Sequence, residues 1–299
     1  MNGSIRICPC CAAPVTQPIY SSAYLRCGAC HALLSTVAEA SYEADYYYHK
    51  PEFEKRERRR GALLWRFFDR IRARLPRGLR PPRTGVDLLE LGCSRGYFVE
   101  ACRARGIAAR GVDISADAIA SAQARGLGAV CSRVDVLSRE ASEALGHADI
   151  VVAWELLEHF DDPTVFLRAV HDALRPGGWF VGSTPNGDSS WLKLLRGNWH
   201  GCGIPQYHRV YYNPSALDRA FFRCGFASAT TTSCVDWRDA FLIKATATAV
   251  ARSVLGTNRM SVRTATAVAM VVPEKICEIV SGRVPGIQGD TLLFAAQRR

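Results

Sequence analysis

The stretch DLLELGCSRG, residues 87–96, decides the fold. Three leucines set among two acids read as a short buried strand, and the run then turns on Gly92 and Gly96 into a helix expected near 95–105. Glycine at such a turn lets the backbone approach a ligand that a Cβ would push away. A pyrophosphate resting on the helix N-terminus would call for G-x-G-x-x-G. Here the run is Gly92-Cys93-Ser94-Arg95-Gly96, and Glu90 stands just before it. An acid at that point disfavours a phosphate and suits a ligand carrying positive charge.

Outward from this turn, short apolar runs alternate with helical ones. Strands are expected over 86–91, 107–112, 128–134, 149–154 and 178–184, with helices near 95–105, 115–124, 138–145 and 163–174. LRPGGWF, residues 174–180, reads as a helix end turning through two glycines into the fifth strand. Strands spaced by helices imply a parallel, doubly wound α/β sheet whose ligands sit beyond the carboxyl ends of the strands. Asp113, in GVDIS, falls at the end of the second strand, where a carboxylate can accept both hydroxyls of a ribose. Asp135 follows the third strand and could take the amino group of an adenine; either aspartate could equally cap a helix.

The chain of 299 residues, 48% of them apolar, can bury a large core, which excludes a wholly disordered protein. Residues 1–6 carry no apolar run behind a basic end, and no stretch reaches the length of a membrane span, so a cytoplasmic protein is expected. The net charge of +10 is concentrated: between Glu54 and Arg83 twelve Lys or Arg stand against three acids, a local +9. Within that block Leu64, Phe68, Ile71 and Leu75 share one helical face, and the arginines crowd elsewhere. Such a helix can lie on an anionic membrane at its inner face, meet nucleic acid or a phosphorylated partner, or cover a sheet with its charges in solvent.

The first forty residues read as a separate module. Cys8 and Cys11 form one C-x2-C pair, Cys27 and Cys30 a second, and fifteen residues separate them. That spacing is the pattern of a zinc ribbon, in which two tight knuckles present four thiolates to one structural Zn ion. Cys10, inside the first knuckle, is expected to be a bystander. A basic helical connector over 41–82 and an α/β domain over 83–299 complete the expected organisation.

Taken together, Glu90, Gly92, Gly96, Asp113 and Asp135 resemble the class I S-adenosylmethionine-dependent methyltransferases, whose first motif reads E-x-G-x-G-x-G; Ser94 stands where that pattern has its middle glycine. The resemblance implies a Rossmann-like seven-stranded sheet with an antiparallel last strand. It further implies that Glu90, Gly92, Cys93 and Gly96 hold the methionine part of S-adenosylmethionine, Asp113 the ribose, and Asp135 with Val136 the adenine, with Ile114 and Trp154 also beside the cofactor.

The fourth strand runs into WELLEHFDDP, where Glu155, Glu158 and His159 stand at i, i+3 and i+4 and would share one face of a helical turn. With a later histidine, His208, this set looks like that of ubiquinone-pathway O-methyltransferases and small-RNA 2′-O-methyltransferases. Carried over, it would place a divalent metal on Glu155, Glu158, His159 and His208, which would acidify an acceptor oxygen and align it for attack on the sulfonium methyl. Alternatively His159 or His208 is a general base, or the turn is structural.

Residues 239–284 form an apolar insertion, too short in each run to span a bilayer, which could build a lid, dock on a membrane or form a dimer face. The expected function is methyl transfer to oxygen on a small-molecule, glycan or lipid-linked acceptor. Two other readings are an RNA-binding protein, or RNA methyltransferase, using the ribbon and the arginine-rich helix, and an NAD-dependent enzyme on the same fold, which Glu90 disfavours.

Overall fold

The computed structural model describes residues 6–19, 23–40, 51–74, 85–134, 146–195, 204–234 and 289–299. Asp135, Val136, the helix expected at 138–145, Leu75 and the insertion at 239–284 lie outside the described residues. The chain divides into two compact units: residues 1–40, 184–217 and 232–292 in the first, and 41–183, 218–231 and 293–299 in the second.

The first unit holds a five-stranded sheet. Strands β1 (Arg6–Ile7), β2 (Pro14–Ile19), β3 (Tyr24–Cys27) and β4 (Leu33–Ser35) run in sequence order, and a late strand, Val210–Tyr211, pairs antiparallel with β4 through Val210↔Leu34 and Tyr211↔Leu33. The expected module at the N-terminus is thus joined, within this unit, by a segment about 170 residues later. The two cysteine knuckles repeat one backbone pattern. In each, the residue after the second cysteine, Ala12 at φ 61° and His31 at φ 62°, donates its N–H to the carbonyl of the first cysteine, at 2.8 and 3.0 Å.

The second unit is built on the expected α/β alternation. Helix α1 (Pro51–Arg74) leads to β5 (Asp87–Leu91), α2 (Tyr97–Arg103), β6 (Ala108–Asp113), α3 (Ala116–Gln123), β7 (Ala129–Cys131) and β8 (Ala148–Trp154). A 3-10 turn (Leu157–His159), α4 (Pro163–Ala173) and β9 (Leu174–Pro185) follow; α5 (Ser190–Leu195) and the short strand β10 (Val210–Tyr211) fall in the first unit, and α6 (Pro214–Arg223), β11 (Phe226–Cys234) and β12 (Thr291–Arg298) complete the order. The seven-stranded sheet has the order β11-β12-β9-β8-β5-β6-β7, with β5 parallel to both β6 and β8. The chain therefore leaves β5 towards one edge and returns to the other side of it at β8. This reversal is the topological switch point at which such sheets open a crevice.

Strand composition explains the placement. Leu88, Leu89, Leu91, Ile150, Val151 and Val152 are fully or almost fully buried, as expected of parallel strands covered on both faces. Beyond them, the ring of Phe180 meets Phe166, Phe221, Phe226 and Phe294 at centroid distances of 5.1–6.3 Å, filling the core under α4 and α6. The fifth parallel strand starts earlier than expected: Ala148 pairs with Leu174, then Ile150 pairs with Trp179, so residues 175–178 bulge out around Gly177 at φ 76°.

Helix α1 spends its apolar stripe inside the unit. Leu64, Phe67, Phe68 and Ile71 are buried, and Gly61 lies so close to α2 that a Cβ there would come within 2.6 Å of the Tyr97 carbonyl. Lys55, Arg58, Arg59, Arg60 and Arg66 remain exposed. No described helix is long and apolar enough to cross a membrane.

Candidate cofactor cradle and catalytic turn

The turn after β5 is drawn against the end of β6. The Gly92 and Cys93 N–H groups both donate to the Val112 carbonyl, at 2.8 and 3.0 Å, and Gly92 and Gly96 sit at φ 72° and 73°. Only glycine adopts that region without strain. Ser94, between them, also lies in the left-handed region at φ 49°. It is held at two points: its N–H donates to Asp113 Oδ2 at 2.7 Å, and its hydroxyl to Glu57 Oε1 at 2.5 Å. Glu57 Oε2 lies 3.5 Å from the Arg95 guanidinium.

Three carboxylates therefore converge on this turn. Glu90 is 3% exposed, and its Oε2 has no hydrogen-bond partner among the described residues. Burial pushes its carboxyl well above the usual range, the neighbouring charge of Asp113 pushes further, and Arg60 opposes. Asp113 is also raised by burial, against the pull of the Ser115, Ser94 and Ile114 N–H groups. Its Oδ2 accepts the Ser94 N–H at 2.7 Å and its Oδ1 the Ser115 N–H at 2.9 Å. Glu57 is raised by burial despite its bond to Ser94. The Cys93 thiol is pushed well up by burial and by Glu90, so the residue offers backbone rather than a thiolate nucleophile. A cradle with three acids and an orphaned carboxylate oxygen accommodates a cation and repels a phosphate.

Around it, the Trp154 ring packs edge-on against Phe98 at 5.3 Å and near Phe67 of α1 at 6.5 Å, with its indole Nε1 without a partner among the described residues. Ile114 is 47% exposed beside Asp113. An exposed apolar side chain at the mouth of such a crevice is a surface that a planar ligand group could cover.

The turn after β8 departs from the expected helical face. Glu155 sits at φ 51°, before the 3-10 turn begins at Leu157, so it does not share a face with Glu158 and His159. Instead its N–H donates to the Ser183 carbonyl at 3.0 Å and its Oε1 accepts the Ser183 hydroxyl at 2.6 Å, which ties it to β9. Glu158 is fully buried and His159 half-buried, both in the second unit; His208 is half-buried in the first unit, its Nδ1 3.0 Å from the Tyr211 hydroxyl.

Cys8, Cys11, Cys27 and Cys30 come together with their sulfurs within 4.8 Å of one another. The Cys8–Cys30 and Cys11–Cys27 sulfur pairs are 3.6 and 3.5 Å apart. Four thiolates at the usual Zn–S length of ~2.3 Å on a tetrahedron would be about 3.8 Å apart, so the set fits one zinc ion. Cys10, fully buried alongside, has its thiol pushed well up by the sulfurs of Cys30 and Cys8 and by burial.

Residues 55–230 match the model of a family described as a methyltransferase domain. The chain belongs to this methyltransferase family. Its class is that of the S-adenosylmethionine-dependent enzymes expected from the residues of the β5 turn. Among curated relatives, a ubiquinone biosynthesis O-methyltransferase of Chromobacterium violaceum is 30% identical over 155 residues, 49% of this chain and 66% of that protein. Its counterpart in Pseudomonas aeruginosa strain LESB58 is 35% identical over 105 residues, 34% of this chain and 45% of that protein. The chain thus spans about half to two thirds of the length of these relatives. Among solved structures, a SAM-dependent methyltransferase from Archaeoglobus fulgidus superposes with TM-score 0.51 at 20% identity, covering 85% of this chain and all of that one. A chain from the complex of the Haloferax volcanii Trm112 methyltransferase activator with a methyltransferase gives 0.52 at 20% identity, covering 83% and 94%. Both structural likenesses concern the fold.

Sequence reasoning overlooked Glu57 and its bond to Ser94. The signal was present: Glu54 and Glu57 are the two acids at the head of a block that is otherwise almost wholly basic, and a serine interrupts the glycine pattern that they face.

Proposed function

We propose that this methyltransferase moves a methyl group from S-adenosylmethionine to an oxygen of a small-molecule, glycan or lipid-linked acceptor. The observation that carries the reading is the orphaned, buried Glu90 oxygen beside Asp113 on the Gly92–Gly96 turn, a place for a ligand with positive charge. Bound there, S-adenosylmethionine supplies a methyl group on a positively charged sulfur that an oxygen nucleophile displaces in line. Glu90 and the Gly92–Gly96 backbone would take the methionine part, with its ammonium group near the free carboxylate oxygen. Asp113 would use its remaining lone pairs on the ribose hydroxyls, Ile114 would lie against the base, Asp135 and Val136 would meet the adenine, and Trp154 would close the apolar wall.

Proton removal from the acceptor falls to a histidine. In the tautomer with Nδ1–H donating to the Tyr211 hydroxyl, His208 presents a lone pair on Nε2 and suits a general base; His159 is the other candidate. A divalent ion held by Glu158 and His159 would do the same task by lowering the acceptor pKa; Glu155, engaged by Ser183, is better placed to fix the turn. The four ribbon cysteines would hold a closed, structural zinc. Contact of α1 with an anionic membrane or with RNA would rest on its exposed cations rather than on its buried apolar face, and would therefore weaken steeply with salt.

The test is transfer of labelled methyl from S-adenosylmethionine to parallel sets of phenols, sugar hydroxyls and amines. Label on hydroxyl compounds is expected; label on amines alone would contradict oxygen as the target. Transfer that survives both exhaustive chelation and Glu158→Gln would remove the metal-assisted form and leave the histidine base.

A further inference from the structure

We propose that Asn213 and Arg209 are positioning residues that couple the cysteine knuckles to the His208 segment, so that metal on the four thiols sets the orientation of the His208 ring. The inference rests on the proposed zinc site and on His208 as the base, and every contact it uses lies within the first compact unit.

Three independent tethers run from the second knuckle to residues 204–213. Asn213, 2% exposed, donates its Nδ2 to the carbonyl of Cys30 at 2.8 Å, which ties a side chain directly to a backbone atom of a thiol ligand. Arg209, 4% exposed, spreads its guanidinium over the Ser35 hydroxyl at 3.1 Å, the Val37 carbonyl at 2.6 Å and the Pro205 carbonyl at 2.9 Å; its own carbonyl accepts the Ser35 N–H at 2.8 Å. β10 then pairs with β4, which begins three residues after Cys30. Tyr211 of β10 packs edge-on against Tyr24 at 5.4 Å, three residues before Cys27, and its hydroxyl meets His208 Nδ1 at 3.0 Å. The imidazole thus meets a tyrosine whose backbone pairs with β4 and whose ring packs on Tyr24 of β3, the two strands flanking the second knuckle.

A buried arginine and a buried asparagine are costly unless their donors are used, and here they reach the Cys30 and Val37 carbonyls, the Ser35 hydroxyl and the Pro205 carbonyl. The arrangement serves to fix the relative position of the two segments. A zinc ion closes a loop of fifteen residues between knuckles and orders the Cys27–Leu33 turn, and the tethers carry that order to His208. Coupling of this kind is reciprocal: what metal does for His208, the tethers do for metal.

The experiment uses the full chain with its histidines labelled with ¹⁵N, reading the His208 tautomer and assigning it with His208→Gln. The probe is zinc itself, added to and removed from the purified protein. Asn213→Ser keeps a side chain able to cap α6, as the Asn213 Oδ1 to Ala216 N–H bond does at 2.9 Å, while removing the donor to Cys30. The expected results are one bound zinc in wild type, a His208 spectrum locked in one tautomer only when zinc is present, and in Asn213→Ser a zinc affinity lower by about tenfold, the usual range for a lost buried hydrogen bond. Arg209→Lys should release the His208 tautomer while zinc is still bound; His147 and His171, in the second unit, should not change. Zinc bound with a His208 spectrum indifferent to metal and to both substitutions would overturn the coupling alone. Absence of zinc binding would overturn the parent reading of the ribbon and the coupling with it.

Discussion

Replacing Glu90 by Gln keeps the shape of the side chain and removes the charge, and it should move stability and cofactor binding in opposite directions. Glu90 is 3% exposed, has one oxygen without a partner among the described residues, and lies beside Asp113. Burial and the Asp113 charge both penalise the ionised carboxyl, and an amide of the same shape removes that charge, so the ligand-free protein should gain on the order of 1–3 kcal/mol. For a chain of this size the gain is a rise in melting temperature on the order of 2–5 °C. Conversely, a hydrogen bond to a charged group is worth roughly 1.5–3 kcal/mol, so loss of the carboxylate should weaken binding of S-adenosylhomocysteine, which keeps the ammonium group, by roughly 10- to 150-fold. Scanning calorimetry on the free protein and titration calorimetry with S-adenosylhomocysteine measure both. A variant that binds as tightly as wild type, or that loses stability along with affinity, would refute the assignment of Glu90 to the cationic end of the ligand.

Further expectations bear on the same site and on the scaffold. The carboxyls of Glu90, Asp113 and Glu57 are all raised by burial, so the folded protein holds protons that the unfolded chain would release. Their contribution to stability is present below the ordinary carboxylate range and is lost as pH rises through their elevated folded values. The ligand-free protein should therefore lose melting temperature from acid towards neutral pH, and the gain on adding S-adenosylhomocysteine should grow over the same span; a flat difference would contradict this. If Glu57 acts through the Ser94 hydroxyl, a double-mutant cycle of Glu57→Gln and Ser94→Gly read by S-adenosylhomocysteine affinity should show coupling of about 0.5–3 kcal/mol, and strict additivity would sever the link. Cys27→Ser should abolish zinc binding, whereas Cys10→Ser should retain one zinc by metal analysis. Phe68→Ala, on the fully buried face of α1, should cost about 3–5 kcal/mol in denaturant unfolding, and a cost near zero would mean that α1 is not part of the core.

The fold was largely legible because parallel strands write themselves as uninterrupted apolar runs. DLLEL, ARGVD and ADIVVAW were located to within a residue or two, and the glycine turn between the first strand and helix marked the cradle. The start of β9 was not, because a bulge at 175–178 looks locally like a turn leaving a helix. Glu155 was placed on a helical face by its spacing, yet its left-handed backbone and its bond to Ser183 are set by the neighbouring strand, which periodicity cannot report. The cysteine spacing revealed the knuckles, but not that the strand completing their sheet is a two-residue segment far along the chain, too short to carry a pattern of its own. The basic helix was read correctly as amphipathic; that its apolar stripe covers α2 and reaches Trp154 is a tertiary fact.

The central claim is that the acid-lined turn from Glu90 to Gly96 binds a sulfonium donor rather than a nucleotide pyrophosphate. Titration calorimetry of the purified protein with S-adenosylmethionine, S-adenosylhomocysteine and NAD tests it most directly. One-to-one binding of the first two, weakened by Glu90→Gln and unaffected by NAD, is the predicted result; binding of NAD with neither sulfur compound retained would contradict it.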